Sequence, residues 1–292
     1  MLTLLDFSPK ELREMLSLAG RIKKNKKKYG KTMQHKTLAM LFQKTSTRTR
    51  VSFEAGMTQL GGHGLFLDWR TTQLGMSDLG DEGKVISSMV DIMMARLKKH
   101  KDLVSLASNC GVPLINGLCE KFHPCQILTD LFTIKEHKKN LKGLTLVYFG
   151  IQNNVSNSLV IGCTKLGMDV ILCTPEKDPD CKSPRINAYM ADMKKKGRLE
   201  ITTDVKKAAK QADVLYTDSW VNMEFFTDPH FKKEKARRER KFMPYQLNKK
   251  LLKWAKRRVL VMHDMPMHKG YEIGDKIPYV KQSVIFQQAE NR

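Results

Sequence analysis

Apolar residues in this chain come in short runs, separated by stretches in which they recur every three or four positions. Thr37-Leu-Ala-Met-Leu-Phe42 has the length and flanks of a buried strand. Behind it Val51, Phe53, Met57 and Leu60 fall at helical spacing. The alternation extends over the first half as helix 9–27, strand 37–43, helix 48–60, strand 64–68, helix 82–90, strand 91–96, helix 100–109 and strand 112–116. The first helix has Ser8-Pro9-Lys10-Glu11 as its cap. Residues 122–140, beginning Phe122-His123-Pro124-Cys125-Gln126, read as a linking helix. The second half repeats the pattern with strand 144–149, Gly150, a helix from Asn154, and strands 170–173, 199–202, 214–216 and 259–262. Short apolar strands alternating with helices predict parallel sheets covered on both faces. The expectation is an α/β protein of two doubly wound parallel-sheet domains, residues 1–135 and 136–292, joined by that helix.

Ligands of such sheets bind beyond the carboxyl ends of the strands. The residues with chemistry to offer are expected there: Ser46, Arg96, Asn116, Asn153, Asn154, Asp218 and His263. The densest cluster is Ser46-Thr47-Arg48-Thr49-Arg50, where a strand turns into a helix. A helix start leaves backbone N–H groups unpaired, and with the helix dipole and two guanidiniums they form an anion site whose obvious occupant is a phosphate. The plainer alternative is a Ser/Thr cap beside two solvated arginines.

Composition adjusts this picture only at the edges. The chain has 292 residues, 41% of them hydrophobic, enough for two cores, and no apolar run long enough to cross a bilayer. Its first residues, Met-Leu-Thr-Leu-Leu-Asp, read as part of a folded unit and not as a signal peptide. Six scattered cysteines (110, 119, 125, 163, 173 and 181) with no CxxC pair suggest reduced thiols and a cytoplasmic protein. The balance of 52 Lys+Arg against 30 Asp+Glu, formally +22, raises the question of a polyanionic partner. The surplus is spread over residues 23–28, 98–101, 194–196 and 249–258. Its one dense block, 232–241, lacks interleaved aromatics. A solvated basic surface is therefore expected, with neither nucleic acid nor membrane as the main partner.

Ser46-Thr-Arg-Thr-Arg50, Arg96, His123-Pro-Cys-Gln126, Asn153-Asn154 and His263-Asp-Met-Pro266 occur in that order. With the flanks Phe42-Gln-Lys-Thr, Val51-Ser-Phe-Glu-Ala-Gly-Met57, Leu60-Gly-Gly-His63, Pro113-Leu-Ile-Asn-Gly-Leu118 and Ala289-Glu-Asn-Arg292, the chain closely resembles the aspartate/ornithine carbamoyltransferase family, on its ornithine branch. The resemblance implies a first domain for carbamoyl phosphate, a second for the amine acceptor, and a homotrimer or multiple of trimers sharing sites at subunit interfaces. It implies transfer of the carbamoyl group to the side-chain amine of L-ornithine, giving citrulline and phosphate, in cytoplasmic arginine biosynthesis. It also implies a further helix beyond the position of Arg292, without which apolar surface on the first domain would need another cover.

The chemistry agrees with the residue types. An amine attacks a carbonyl carbon, charge grows on the oxygen and phosphate leaves, so the site needs preorganised donors and cations. No metal and no cofactor are expected. By resemblance, Ser46, Thr47, Arg48 and Thr49 hold the phosphate, while Thr49, Arg96 and His123 reach the carbonyl oxygen. Gln126 meets the carbamoyl amide, Gln73 reaches a neighbouring subunit's site, and Arg292 closes on the carbamoyl group.

The acceptor side departs from the family pattern. Asp218 and Met223 remain, but the family's Ser-Met-Gly loop reads Asn222-Met223-Glu224, and its His-Cys-Leu-Pro reads His263-Asp264-Met265-Pro266. The Asp of the family's Gly-Asp strand end is Ile151 here. The expected acceptor contacts are Asn154 for an α-carboxylate, with Asp218, Asn222, Met223, Asp264 and Met265. A carboxylate at 264 favours an ammonium and can also take its proton. Two rivals stay open: the same transfer to another cationic amine such as putrescine or lysine, and a catalytically weak regulatory relative.

Overall fold

In the computed structural model, which describes residues 1–221, 226 and 228–292, the chain forms two compact units: Met1–Leu128 with Arg292, and Thr129–Asn291. The division falls inside the helix Pro124–Lys138, the element expected to link two domains.

The first unit is built on β1 (Thr37–Phe42), β2 (His63–Asp68), β3 (Ile92–Arg96) and β4 (Leu114–Leu118), all parallel in the order β2-β1-β3-β4. Its helices are α1 (Pro9–Lys24), α2 (Lys26–Tyr29), α3 (Thr47–Gln59), α4 (Leu79–Ser87), α5 (His100–Asn109) and the first turns of α6 (Pro124–Lys138). Ser8 caps α1 through a reciprocal box with Glu11, each side chain accepting from the other residue's amide (3.2 and 2.7 Å). The central strand β1 is buried from Leu38 to Phe42, whereas edge strand β2 leaves alternate positions open, as expected for a two-sided parallel sheet. Leu38, Met40, Phe42, Met57 and Met94 form one core cluster.

The second unit carries β5 (Thr145–Gln152), β6 (Asp169–Lys177), β7 (Leu199–Thr202), β8 (Val214–Thr217) and β9 (Leu260–His263), parallel in the order β7-β6-β5-β8-β9. Its further described helices are α7 (Asn154–Lys165), α8 (Pro184–Lys195), α9 (Val205–Gln211), α10 (Lys232–Phe242), α11 (Lys249–Trp254) and α12 (Ile285–Glu290). Val147 and Phe149 of β5, Leu215 of β8 and Val261 of edge strand β9 pack with Ala208, Leu247, Leu251 and Ile285.

Two local readings are corrected. The fifth strand continues to Gln152 beyond the expected end at 149. Gly150, at φ +126°, takes up a register shift against β6, and a β-carbon there would sit 3.2 Å from the Trp220 ring. Asn116 is not a strand-end residue. It lies inside β4, fully buried, with its Nδ2 donating to Leu2 O (2.8 Å), so it ties down the first residues of the chain.

Candidate active site

In each unit the sheet order reverses direction at one place, and it is beyond the strand ends at such a reversal that parallel sheets of this kind bind ligands. In the first unit the reversal lies between β1 and β3. The residues following β1 are Ser46–Thr49, and the last residue of β3 is Arg96. Ser46 is the N-cap of α3: its Oγ accepts from Thr49 N (3.3 Å) and donates to Thr49 Oγ1 (2.9 Å). Arg96 Nη1 lies 3.5 Å from the same oxygen, and Arg292 Nη2 donates to it at 2.9 Å. One buried hydroxyl thus gathers a second hydroxyl and two guanidiniums at a helix start, an arrangement that favours an anion with oxygens to share.

His123, 1% exposed, sits one residue before α6, and Arg292 Nη2 donates to its Nε2 (3.0 Å). A guanidinium can only donate, so Nε2 is the accepting nitrogen and the ring hydrogen belongs on Nδ1. Burial, then the charges of Arg292 and Arg96, hold this imidazole well below its ordinary pKa, so it is neutral at pH 7. Gln126 is buried on the first turn of α6, Arg48 is half-buried on α3, and Thr47 at the helix start is exposed. Among the expected residues of this cluster, Ser46, Thr49, Arg96, His123 and Arg292 are joined by hydrogen bonds. Gln73 lies apart on an exposed loop, its carbonyl accepting from Met76 N (2.9 Å).

In the second unit the reversal lies between β5 and β8. Asn153 follows β5 and caps α7, its Oδ1 accepting from Val155 N (3.0 Å) and Ser156 N (3.1 Å). Its Nδ2 donates to Asp218 Oδ2 (2.7 Å), bridging the two strand ends. Asn154 turns its Oδ1 to Val155 N (3.0 Å). Asp218 Oδ1 accepts from Ser219 N (2.7 Å), yet burial and then the charge of Asp264 push its carboxyl up to about 7. Asp264 follows β9, and because Thr217 pairs with His263, Asp218 and Asp264 are the next residues out of neighbouring strands.

The segment after Asp264 is held from below. Met265, at φ +56°, donates its N–H to His263 Nδ1 (2.8 Å), which leaves the ring hydrogen on Nε2 facing Glu272 Oε1 (3.2 Å). Glu272 also accepts from the His268 amide and meets His268 Nδ1 at 3.5 Å. Burial raises its pKa, but the hydrogen bonds from His263 and His268 outweigh that and leave it at about 2. Ser219 Oγ donates to Pro266 O (3.2 Å), tying the β8 and β9 ends together. Glu272, His268 and Asn153's bridge to Asp218 were not identified from sequence. A lone acid in Gly270-Tyr-Glu-Ile-Gly274, nine positions past His263, was the one available hint of the Glu272 contact. The expected contacts Asn222 and Met223, and the departure at Glu224, lie outside the described residues.

These features define a two-unit α/β protein with a cationic strand-end cluster in one unit and a carboxylate-bearing one in the other. Residues 1–136 match the family model of the aspartate/ornithine carbamoyltransferase carbamoyl-P binding domain, and residues 142–292 match that of the Asp/Orn binding domain. The chain belongs to the aspartate/ornithine carbamoyltransferase family. Over its whole length it is 42% identical to the ornithine carbamoyltransferase of Methanococcus aeolicus, spanning 95% of that protein. It is 44% identical to that of Thermococcus kodakarensis, spanning 91%. Its structure is similar to that of ornithine carbamoyltransferase from Pyrococcus furiosus (TM-score 0.90, 41% identity, all of this chain and 92% of that one). It also resembles the anabolic ornithine carbamoyltransferase of Campylobacter jejuni (TM-score 0.87, 35% identity, all of this chain and 94% of that one).

Proposed function

We propose that this chain transfers the carbamoyl group of carbamoyl phosphate to the side-chain amine of L-ornithine, releasing citrulline and phosphate. The observation that carries the reading is the convergence of Ser46, Thr49, Arg96, His123 and Arg292 at the sheet reversal of the first unit, in a chain matching ornithine carbamoyltransferases from end to end. The matches favour ornithine over putrescine or lysine.

In this reading, residues 1–135 form the donor domain and residues 136–292 the acceptor domain, with Arg292 contributing to the donor cluster. Ser46, Thr47, Arg48 and Thr49 hold the phosphate, and Gln126 orients the carbamoyl amide. Arg96 and the neutral His123 stabilise the carbonyl oxygen as it becomes negative, without a carboxylate or a proton transfer at that atom. Asn154 takes the α-carboxylate of the acceptor, Asp218 with the loop at Asn222 and Met223 its α-amine, and Met265 completes the contacts, with Asp264 beside the reacting nitrogen.

The working assembly is a homotrimer, in which Gln73 serves a neighbouring subunit. Supporting this, Val51, Leu65, Met76, Val85 and Met89, all on the first unit, are exposed apolar side chains of the kind an interface covers. The buried cysteines Cys119, Cys163, Cys173 and Cys181 support a reducing cytoplasmic setting, with arginine biosynthesis as the pathway served. No described helix is long and apolar enough to cross a membrane.

The test is product formation from carbamoyl phosphate with ornithine, putrescine and lysine in parallel, reading the carbamoylated amine. Citrulline in clear excess is expected. A faster reaction with either other amine would overturn the assignment of ornithine, and no turnover with any of the three would overturn the catalytic reading.

A further inference from the structure

Asp130 of α6 is a charge that the transfer reaction leaves without a task. It is fully buried, and its oxygens accept from Gln288 Nε2 (2.7 Å) and from the Tyr216 hydroxyl (2.9 Å). Gln288 lies on α12, 1% exposed, and its Nε2 also reaches the Tyr216 oxygen at 3.2 Å. The other end of the same amide, Oε1, accepts from the backbone N–H of His263, the last residue of β9 (3.0 Å). The sense of that amide follows from its neighbours. A carboxylate only accepts and a backbone N–H only donates, so the NH₂ end faces Asp130 and the oxygen faces β9.

α12 depends on such contacts for its place. Its six residues are too few for a helix to persist alone, and Val284 gives it no side-chain cap. Ile285 anchors it in the core of the second unit. Toward α6 it is tied by Gln287 to Glu136 (2.9 Å) and His137 (2.7 Å), and Asn291 just beyond it is tied to Thr133 (2.9 Å) and Glu136 (2.7 Å). Most of those bonds are open to water, whereas the Asp130–Gln288 bond is buried, where it is electrostatically stronger. Two functional groups leave from this junction. Asp264 follows His263 directly, and Arg292, four positions past Gln288, reaches Thr49 Oγ1 and His123 Nε2.

We propose that Asp130 is a positioning residue for the reaction. By orienting Gln288 it sets the end of β9 in the acceptor cluster and, through the turn that follows, Arg292 in the donor cluster. This inference rests on the carbamoyl-transfer reading above and adds to it a residue that touches neither substrate.

Burying a charge is costly, so packing alone would favour an apolar side chain at position 130. What a carboxylate adds is direction. An amide there could present either of its ends to Gln288, and an apolar residue would present neither. A carboxylate leaves Gln288 Oε1 committed to His263. Loss of that commitment strands a buried N–H at the end of β9. Small shifts at the reacting groups are sufficient to matter, since a misplacement of about 1 Å can cost on the order of 10²-fold in rate.

The experiment compares wild type, Gln288→Glu, Gln288→Met and the double variant Asp130→Asn/Gln288→Glu. Calorimetric titration with carbamoyl phosphate counts intact sites, and citrulline formation then gives kcat per site. Gln288→Glu sets a second carboxylate against Asp130. Its kcat per site should fall on the order of 10²-fold, and its Kd for carbamoyl phosphate should rise as Arg292 shifts. The double variant rebuilds the network with its charge moved. The new amide at position 130 donates to the new carboxylate at 288, which still accepts from His263, and the amide oxygen still accepts from Tyr216. This variant should recover at least ~10-fold of the lost rate. Gln288→Met, which keeps the length without the hydrogen bonds, should also lose rate per site. A merely structural network would lower the number of sites and the unfolding temperature while leaving kcat per site unchanged, and that result overturns the proposal. So does a double variant no faster per site than Gln288→Glu. If Gln288→Glu does not fold, a slowed Gln288→Met beside a double variant near wild type upholds the proposal, and any other order overturns it. A wild-type chain that makes no citrulline overturns the carbamoyl-transfer reading and this inference with it, whereas an active wild type with unaltered variants overturns this inference alone.

Discussion

The two strand-end clusters solve opposite electrostatic problems with the same geometry. Both sit where a parallel sheet reverses its order, and both begin with a capping side chain, Ser46 on α3 and Asn153 on α7. In the first unit the cap donates to the Thr49 hydroxyl, on which the Arg96 and Arg292 guanidiniums also converge, and burial keeps His123 neutral. In the second the cap meets a carboxylate, Asp218, whose pKa is raised by burial and by a second carboxylate. A phosphate can be held by a contiguous run of donors on one helix start, whereas the second cluster draws its groups from the ends of several strands.

The largest expected effect falls on the donor cluster. Arg96→Ala removes a fixed charge from the place where negative charge develops, and kcat should drop on the order of 10³-fold, with the KM for ornithine nearly unchanged. His123→Ala should cost roughly 10²-fold, because the lost donor is neutral. If the two substitutions instead raised the ornithine KM and spared kcat, the division of labour between the two clusters would be wrong.

Next comes the support beneath the acceptor segment. Glu272 sits at about 2 in the folded chain against 4.5 as a free side chain. The group is depressed, so its contribution is present above pH 4.5 and is lost as pH falls toward 2. Its size is roughly 3 kcal/mol, since each pKa unit is worth about 1.36. Asp218 acts with the opposite sign. Raised from 3.8 to about 7, it binds more protons folded than unfolded across that range, so its contribution to stability falls as pH rises from 3.8 to 7. Urea unfolding of Glu272→Gln should therefore differ from wild type by up to about 3 kcal/mol at pH 6 and by roughly half of that at pH 3. Asp218→Asn should flatten the loss of stability between pH 5 and 7. A pH-independent difference for Glu272→Gln would remove the hydrogen-bonded carboxylate from the account.

How much of this could be read from the chain follows the same contrast. The parallel α/β architecture and nearly every strand were legible because buried strands are continuous apolar runs, and Ser46–Arg50 was legible because its functional groups are contiguous. The deeper acceptor contacts were not. Glu272 meets His263 only because the segment after β9 folds back, a path that no spacing rule encodes. Asn116 misled for a related reason: an amide inside an apolar strand looks like a strand-end ligand until its partner, the Leu2 carbonyl from 114 residues away in sequence, is seen.

The smallest effect sharpens the comparison most. Asn153 does two things with one side chain: its oxygen caps α7 and its nitrogen holds Asp218. Asn153→Asp keeps the capping oxygen and replaces the donor with a third carboxylate, whereas Asn153→Ala loses both. The lost cap alone should cost about 1 kcal/mol in urea unfolding. The lost donor should appear elsewhere, because the Asn153 hydrogen bond to the ionised carboxyl lowers the Asp218 pKa. The acid limb of kcat/KM should therefore move to higher pH in both variants, and further in Asn153→Asp, where like charge is added. Ser46→Ala, its counterpart in the donor cluster, should lose a similar cap and some phosphate affinity while leaving that limb where it is. Equal pH profiles for Asn153→Ala and Ser46→Ala would mean that the two caps are only caps, and that the acceptor cluster's carboxylates titrate independently of the residue that bridges its strands.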